Sequence, residues 1–251
     1  MSKRVGRTTG QQGGVTIARP RQNLFDVAYE TIEGLLVNCT LAPGSHLTMH
    51  DLTLATGLGR TPVHQAVNRL AADTLILIRP RHGLQVAPID LARERTLLRL
   101  RRDLERFVVR LATERSNASH RNQLLHLERV LTERRDTLDL AQFNVLDRAI
   151  DSLILSAAGE PFLEHTLRPL HTIFRRIGFI HHSHLAGAGD LGDTVDRHLA
   201  ILNAIATRQV DRAVRASDAL VDFVDDMFIA MEQGIDPALL DATTPRLVAD
   251  I

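Results

Sequence analysis

Leu41-Ala42-Pro43-Gly44-Ser45-His46-Leu47 is followed, after a short intervening stretch, by Gly57-Leu58-Gly59-Arg60-Thr61-Pro62-Val63-His64-Gln65-Ala66-Val67-Asn68-Arg69-Leu70. Ala42-Pro43-Gly44 reads as a turn, because Pro presets its own φ and Gly accepts a positive one. Thr48 opens a short helix that includes Leu52 and Ala55, and Gly57-Leu58-Gly59 is a tight turn, too short for a linker. The next helix is expected to begin at Thr61-Pro62, with Thr61 as N-cap and Pro62 at the first helical position, where its missing N–H costs nothing. Val63, Ala66, Val67 and Leu70 then recur at the spacing of one buried helical face.

Working outward, Leu24, Val27, Ala28, Ile32, Leu35 and Leu36 make one apolar face of a helix over about 24–38. Downstream, Leu75-Ile76-Leu77-Ile78 and Leu84-Gln85-Val86 read as two short strands around Arg79-Pro80-Arg81-His82-Gly83. Helix, helix, tight turn, helix, hairpin is the order of a winged helix-turn-helix, assigned here to 23–88. After Pro88 strand patterns vanish. Helical periodicity predicts segments near 90–116, 119–136, 138–157, 161–182, 191–207 and 210–232, with the His/Gly-rich stretch 181–192 as a loop and 234–251 as a tail. The expected fold is mainly α: a winged helix-turn-helix, then an all-α antiparallel bundle of about six helices over 89–233.

The charge balance limits the partners. Lys+Arg and Asp+Glu are both 30, so any nucleic-acid surface is a local patch rather than a basic coat. With no Trp and one Tyr, aromatic platforms for single strands are not expected, whereas duplex binding needs none. One cysteine, Cys39, excludes a disulfide framework within the chain. No apolar run approaches a membrane span and the N-terminus lacks the core of a secretory signal, so a cytoplasmic location is expected. Residues 1–22 carry Lys3, Arg4, Arg7, Arg19 and Arg21 and no acid, a basic arm that either adds phosphate contacts or is only a solvated tail.

The 24–88 segment resembles the GntR family of bacterial regulators, in which the signature runs as L-x-P-G-x-x-L, then G-V-S-R-T-P-V-R-E-A-L-x-R-L. The resemblance implies DNA contacts from Arg60, Thr61, the residue at 64 and the wing His82-Gly83, with Arg69 reaching the phosphate backbone. The chemistry agrees: the leading end of such a helix enters the major groove, a guanidinium grips guanine or phosphate, and the helix N-terminus adds partial positive charge. The alternative for Arg60 and Arg69 is ordinary surface charge. Three positions depart from the signature: His64 stands for Arg, Gly59 for Ser, and Thr74 for the glycine after the helix. They leave the fold assignment intact and the operator sequence undetermined.

In the helical part three polar residues interrupt apolar rows. Arg101 falls in Leu97, Leu104, Val108, Leu111; Asp147 in Phe143, Ile150, Ile154; His198 in Val195, Leu202, Ile205. A buried polar group needs a counter-ion, a metal or a ligand, so an Arg, an acid and a His in one bundle interior suggest an anion or metal pocket. The part over about 90–225 also resembles the FCD-type ligand-binding domain of the FadR subgroup. Arg101-Arg102-Asp103-Leu104-Glu105, then Asp147-Arg148-Ala149-Ile150-Asp151, then His198 with Ile201-Leu202 carry that likeness.

Many such domains hold a divalent metal with one Asp and three His, and the metal helps seat a carboxylate. The resemblance puts Asp147 and His198 at ligand positions, with Asp151 and Leu220 where the other two histidines fall. Asp147, Asp151 and His198 remain candidate ligands of a divalent ion; the alternative is a lost metal site with a directly bound effector. Arg101 is the candidate for the effector carboxylate. His171 and Arg175 are candidate lining residues, with a structural role for His171 as the alternative. His181, His182 and His184 are either a metal tract or surface imidazoles. The function expected is a homodimeric transcription regulator, a repressor by family habit, that binds a double-stranded operator and responds to a small organic acid. The competing reading is a metal-dependent enzyme or metal-binding helical protein, although no nucleophile–base motif or phosphate-cradling loop supports it.

Overall fold

The computed structural model describes residues 23–185 and 190–244; the basic arm 1–22 lies outside the described residues. Helix α1 (Leu24–Val37) is capped by Asn23, whose side chain accepts from the Phe25 N–H, and buries Ala28, Tyr29, Ile32 and Leu36. Gly44 takes φ 78°, and its N–H donates to the Val86 carbonyl at 3.1 Å, tying the Pro-Gly turn to the wing. The two-residue strand β1 (His46–Leu47), absent from the sequence expectation, follows the turn. Helix α2 (Met49–Thr56) opens with a capping box between Thr48 and Asp51 and closes on Gly57 at φ 66°.

Helix α3 (Arg60–Ala72) starts two residues before the expected position: Gly59 is its N-cap, and Thr61 and Pro62 lie inside the first turn. Pro62 is tolerated there because the first four helical N–H groups have no intrahelical acceptor in any case. Val63, Ala66, Val67 and Leu70 are all buried, as their spacing requires. The sheet has the order β1-β3-β2, with β2 (Ile76–Arg79) and β3 (Gly83–Val86) antiparallel in the register Ile76↔Val86 to Arg79↔Gly83. Thr74 holds φ 62°, so the left-handed position after α3 is kept without glycine, and Arg93 donates to its hydroxyl at 2.9 Å.

Six long helices follow: α4 (Leu91–Arg115), α5 (Ala118–Arg134), α6 (Leu140–Ala158), α7 (Pro161–His184), α8 (Gly192–Ala206) and α9 (Val210–Gly234). The stretch expected to be a loop from 181 is helical through His184. The described part of the expected tail, through 244, contains a further short helix, α10 (Pro237–Leu240), tied down by the Ile89 N–H donating to Leu240 O at 2.8 Å and the Ala242 N–H to Pro43 O at 2.7 Å; residues 245–251 lie outside the described residues. On α4 the buried stripe is Leu98, Arg101, Glu105, Val108, Val109 and Ala112. Leu97, Leu104 and Leu111 are only half-buried, so the apolar row read from sequence lies partly off the interior, although Arg101 and Val108 lie on both.

The two parts share packing. Ile173 of α7 joins the core built by Ile32, Leu52, Leu70 and Leu75. Arg176, also on α7, is buried and donates to the Ala87 carbonyl at 2.7 Å. Near it Glu94 is buried with one carboxylate oxygen lacking a hydrogen bond. Burial pushes its pKa up to about 7, against the opposing attraction of Arg176. A carboxyl whose folded pKa is raised is favoured in its neutral form, so stability is fully present below the unfolded value and is lost as pH rises toward the folded one. The rise from 4.5 to about 7 is worth roughly 3 kcal/mol. Glu94→Gln is expected to raise stability at pH 8 by about 1–3 kcal/mol and to flatten its pH dependence between 4.5 and 7, measured by urea unfolding at both pH values. A variant no more stable at pH 8 than the wild type contradicts this.

Candidate nucleic-acid interface and effector pocket

The outer face of α3 is polar and exposed. Arg60, Thr61, His64, Gln65 and Asn68 are all solvent-accessible, a run that repeats at helical spacing opposite the buried face. The N-terminal end therefore points its guanidinium, a hydroxyl and free backbone N–H groups outward, as a groove-reading helix does. Asn68 Nδ2 lies 3.3 Å from His64 Nδ1, which fixes the two side chains relative to one another. Gln65 and Asn68 were missed as candidates, although their offsets of one and four residues from His64 carry the signal. In the wing, His82 and Gly83 are exposed beside Arg79 and Arg81, and Arg81 and Gly83 take φ 68° and 83° to turn the hairpin.

Arg69 behaves differently. Its Nε pairs with Asp73 Oδ2 at 3.1 Å, and the Tyr29 hydroxyl donates to the same oxygen at 3.1 Å. Asp73 thus links Arg69 to Tyr29 of α1, while the Arg69 side chain stays about a third exposed with its terminal nitrogens outside that pair.

In the helical domain Arg101, Asp147 and His198, the three residues that break apolar rows, all line one cavity of about 60 Å³. Its walls are otherwise largely apolar, with Phe143, Phe174, Phe223 and Met227 prominent. Asp147 Oδ2 accepts from Arg175 Nε at 2.6 Å, and its Oδ1 faces His198 Nε2 at 2.9 Å. Arg175 Nη2 also donates to Asp151 in a short contact. His171 bridges Asp151, at 3.1 Å from Nδ1, and Glu105, at 2.7 Å from Nε2. Arg101 Nε reaches Glu105 Oε1 at 3.2 Å and its guanidinium rests 5.1 Å from the centroid of Phe174. All of the expected pocket residues thus belong to one network. Glu105 was missed as a member; its i, i+4 spacing from Arg101 was the available signal.

The electrostatics follow from these contacts. Burial opposes ionisation of Asp147, but Arg175 and His198 outweigh it and hold the carboxyl well below the usual range. Asp151 is raised by burial despite His171, with Asp147 pushing the same way. Burial would lower His198, yet its hydrogen bond to Asp147 raises it. Glu105, buried but paired with His171 and Arg101, is lowered to about 2.

The residues present do not fit a divalent metal. Both carboxylates of the expected ligand set are taken by the Arg175 guanidinium. His198 spends Nε2 on Asp147 and Nδ1 on the Thr194 carbonyl at 2.7 Å, and Leu220 supplies no donor. Among the described residues no group of three or more His, Cys, Asp or Glu side chains is arranged to hold a metal ion. The His tract does not form one either: His181, His182 and His184 lie on the last turns of α7, and burial and His182 lower His181 to about 4. His182 contributes instead to the pocket wall, 3.2 Å from the Thr194 hydroxyl.

The pocket network abuts the DNA-binding part. Glu33 of α1 is 1% exposed and is held by Arg148 of α6 at 3.1 Å, by Arg168 of α7 at 3.6 Å, and by the Thr172 hydroxyl in a short contact. Arg148 adjoins Asp147 in sequence, and Thr172 adjoins His171. Arg168 also lies 4.3 Å from the centroid of Tyr29, whose hydroxyl meets Asp73 at the end of α3.

A winged helix-turn-helix with an exposed leading end, joined to a helical domain with a charged pocket, defines a two-domain transcription regulator. Residues 24–86 match the bacterial regulatory proteins of the gntR family and residues 96–223 match the FCD domain. The chain belongs to the GntR family, in its FCD-containing, FadR-like subgroup. It is 28% identical over 204 residues to the HTH-type transcriptional repressor RspR of Escherichia coli, covering 80% of this chain and 87% of that one. Its fold is similar to that of Escherichia coli McbR/YncC (TM-score 0.73, 18% identity, 84% and 99% of the two chains). It is also similar to a putative GntR regulator from a Rhodococcus species (TM-score 0.62, 16% identity, 82% and 97%). The family is one of transcription regulators and not of enzymes, so the enzyme alternative is not favoured. No helix among the described residues is long and apolar enough to cross a membrane.

Proposed function

We propose that this regulator is a homodimeric repressor whose hold on its operator is weakened by a small organic acid bound in the α4–α9 domain. Arg60, Thr61, His64 and the wing His82-Gly83 are the DNA contacts, with Gln65 and Asn68 added from the exposed face of α3. Two such helices read half-sites about one helical turn apart. The observation that carries the effector reading is the convergence of Arg101, Asp147 and His198 on one cavity. Arg101 is its acid-binding residue. Beyond Nε its guanidinium has no hydrogen bond among the described residues, so its terminal nitrogens are available to a carboxylate. The contact of Glu33 with Arg148, Arg168 and Thr172 carries the change to α1 and α3. Arg148 follows Asp147 in the chain and Thr172 follows His171, which supports that route. The repressor sign rests on the similarity to RspR.

The test is fluorescence anisotropy of the full chain on duplex DNA from upstream of its own gene, with acetate, propionate or butyrate added. The wild type is expected to bind that duplex over a scrambled one and to lose affinity as acid is added. Arg101→Ala is expected to bind equally well and to respond about tenfold less to acid, the loss of one charge-assisted contact. An Arg101→Ala response equal to that of the wild type overturns the effector assignment.

A further inference from the structure

We infer that Arg175 is the resident cation of the pocket, standing where family relatives carry a divalent ion, so that this chain binds its acid without metal. The inference rests on the effector reading for its ligand, but its metal arm stands alone. Three observations carry it. First, Arg175 is itself buried and joins both carboxylates of the expected metal set through separate nitrogens, Nε to Asp147 and Nη2 to Asp151. A planar guanidinium with a fork of donors bridges two carboxylates in the manner a compact ion would, and cannot be displaced by a chelator. Second, the changes at the family positions match that occupant. A histidine replaced by Asp151 turns a metal donor into a guanidinium acceptor, and Leu220 removes a donor that a guanidinium does not need. Third, His198 commits Nε2 to Asp147 at 2.9 Å and Nδ1 to the Thr194 carbonyl at 2.7 Å, so the imidazole supports the ion pair.

The same geometry limits the ligand. Arg175 is engaged by two acids, whereas Arg101, over Phe174, meets Glu105 through Nε alone and keeps its terminal nitrogens for a ligand in the cavity. One guanidinium pairs with one carboxylate in a bidentate way, which favours a monocarboxylate. The cavity, about 60 Å³, is small and suits a short-chain acid. The apolar walls formed by Phe143, Phe223 and Met227 receive its alkyl end.

The experiment uses the full chain after dialysis against EDTA. Mn²⁺ is the probe metal, because it prefers oxygen donors and is held poorly by surface imidazoles, and its binding is counted by electron paramagnetic resonance. Acetate, propionate and butyrate binding is measured in parallel by calorimetry. The wild type is expected to hold no stoichiometric Mn²⁺ and to bind at least one of the acids with the same affinity with or without EDTA. Arg175→Ala frees Asp147, Asp151 and their histidines and is expected to bind Mn²⁺ about tenfold or more tighter than the wild type. If that variant does not fold, Arg175→Gln replaces it and the wild-type arm stands unaffected. One Mn²⁺ per wild-type chain, or acid binding abolished by EDTA, overturns the inference; so does a folded variant that gains no metal. Failure to bind any of the three acids overturns the ligand class while leaving the metal result readable. Operator binding is not used, so its failure is a separate outcome.

Discussion

Arg60→Ala is expected to weaken binding to the specific duplex by about 5- to 100-fold, the range for one guanidinium that reads a base or clamps a phosphate. The argument is local. Arg60 is the first residue of α3, exposed, without a salt bridge among the described residues, at the end of the helix where N–H groups also point outward. Nothing in the fold depends on it, so the thermal midpoint is expected to stay at the wild-type value while affinity falls. Competition anisotropy against scrambled DNA separates the two roles. A base-reading Arg60 lowers specific binding more than non-specific binding, whereas a phosphate clamp lowers both and reduces the salt slope by about one. Arg69→Ala serves as the contrast. Because Arg69 is held by Asp73, its removal is expected to cost stability before affinity. Equal operator affinity for Arg60→Ala and wild type contradicts the assignment of α3.

The second large effect concerns Glu33. Glu33→Gln keeps the shape and removes the charge that Arg148, Arg168 and Thr172 enclose. The carboxylate is fully buried, but both arginines are about a third exposed and regain water when unpaired, so the full cost of breaking a buried pair does not apply. A loss of about 1–3 kcal/mol in unfolding free energy is expected. The sharper readout is coupling. In a double-mutant cycle with Asp151→Asn, scored by operator affinity, the two changes are expected to deviate from additivity by about 0.5–2 kcal/mol. Strict additivity, with an unaltered acid response in Glu33→Gln, breaks the proposed route from pocket to α1.

The fold was legible where side-chain periodicity and turn chemistry agree. The order of elements, the buried face Val63, Ala66, Val67, Leu70 and the six long helices all come from spacing that has one physical solution. Other features were hidden for identifiable reasons. Strand β1 is two residues long, and its pairing with β3 depends on the Gly44 turn and not on any local pattern. The start of α3 was misread because Thr is an equally good cap, while Gly59 caps without a side chain. The end of α7 reads as polar in sequence, but His182 lies against the pocket and α8, which no local rule reports.

The site was legible to a similar depth. Arg101, Asp147 and His198 are conspicuous because each sits on an apolar helix face, and all three reach the same cavity. What each of them contacts is not written in any single helix. That Asp147 pairs with a guanidinium depends on Arg175 one helix away, and Arg175 sits in the run Phe174-Arg175-Arg176 where neither basic residue looks buried. Both are. Glu33 was equally inconspicuous, an acid on the first helix whose partners come from about 115 to 139 residues further along the chain.

The most direct test of the account is the titration of labelled upstream duplex with the full-length wild-type chain, repeated with saturating short-chain acid. The account predicts saturable binding that exceeds scrambled DNA and a dissociation constant that rises when acid is present. Affinity that is the same for both duplexes, or specific binding left untouched by an acid that calorimetry finds in the pocket, would contradict it.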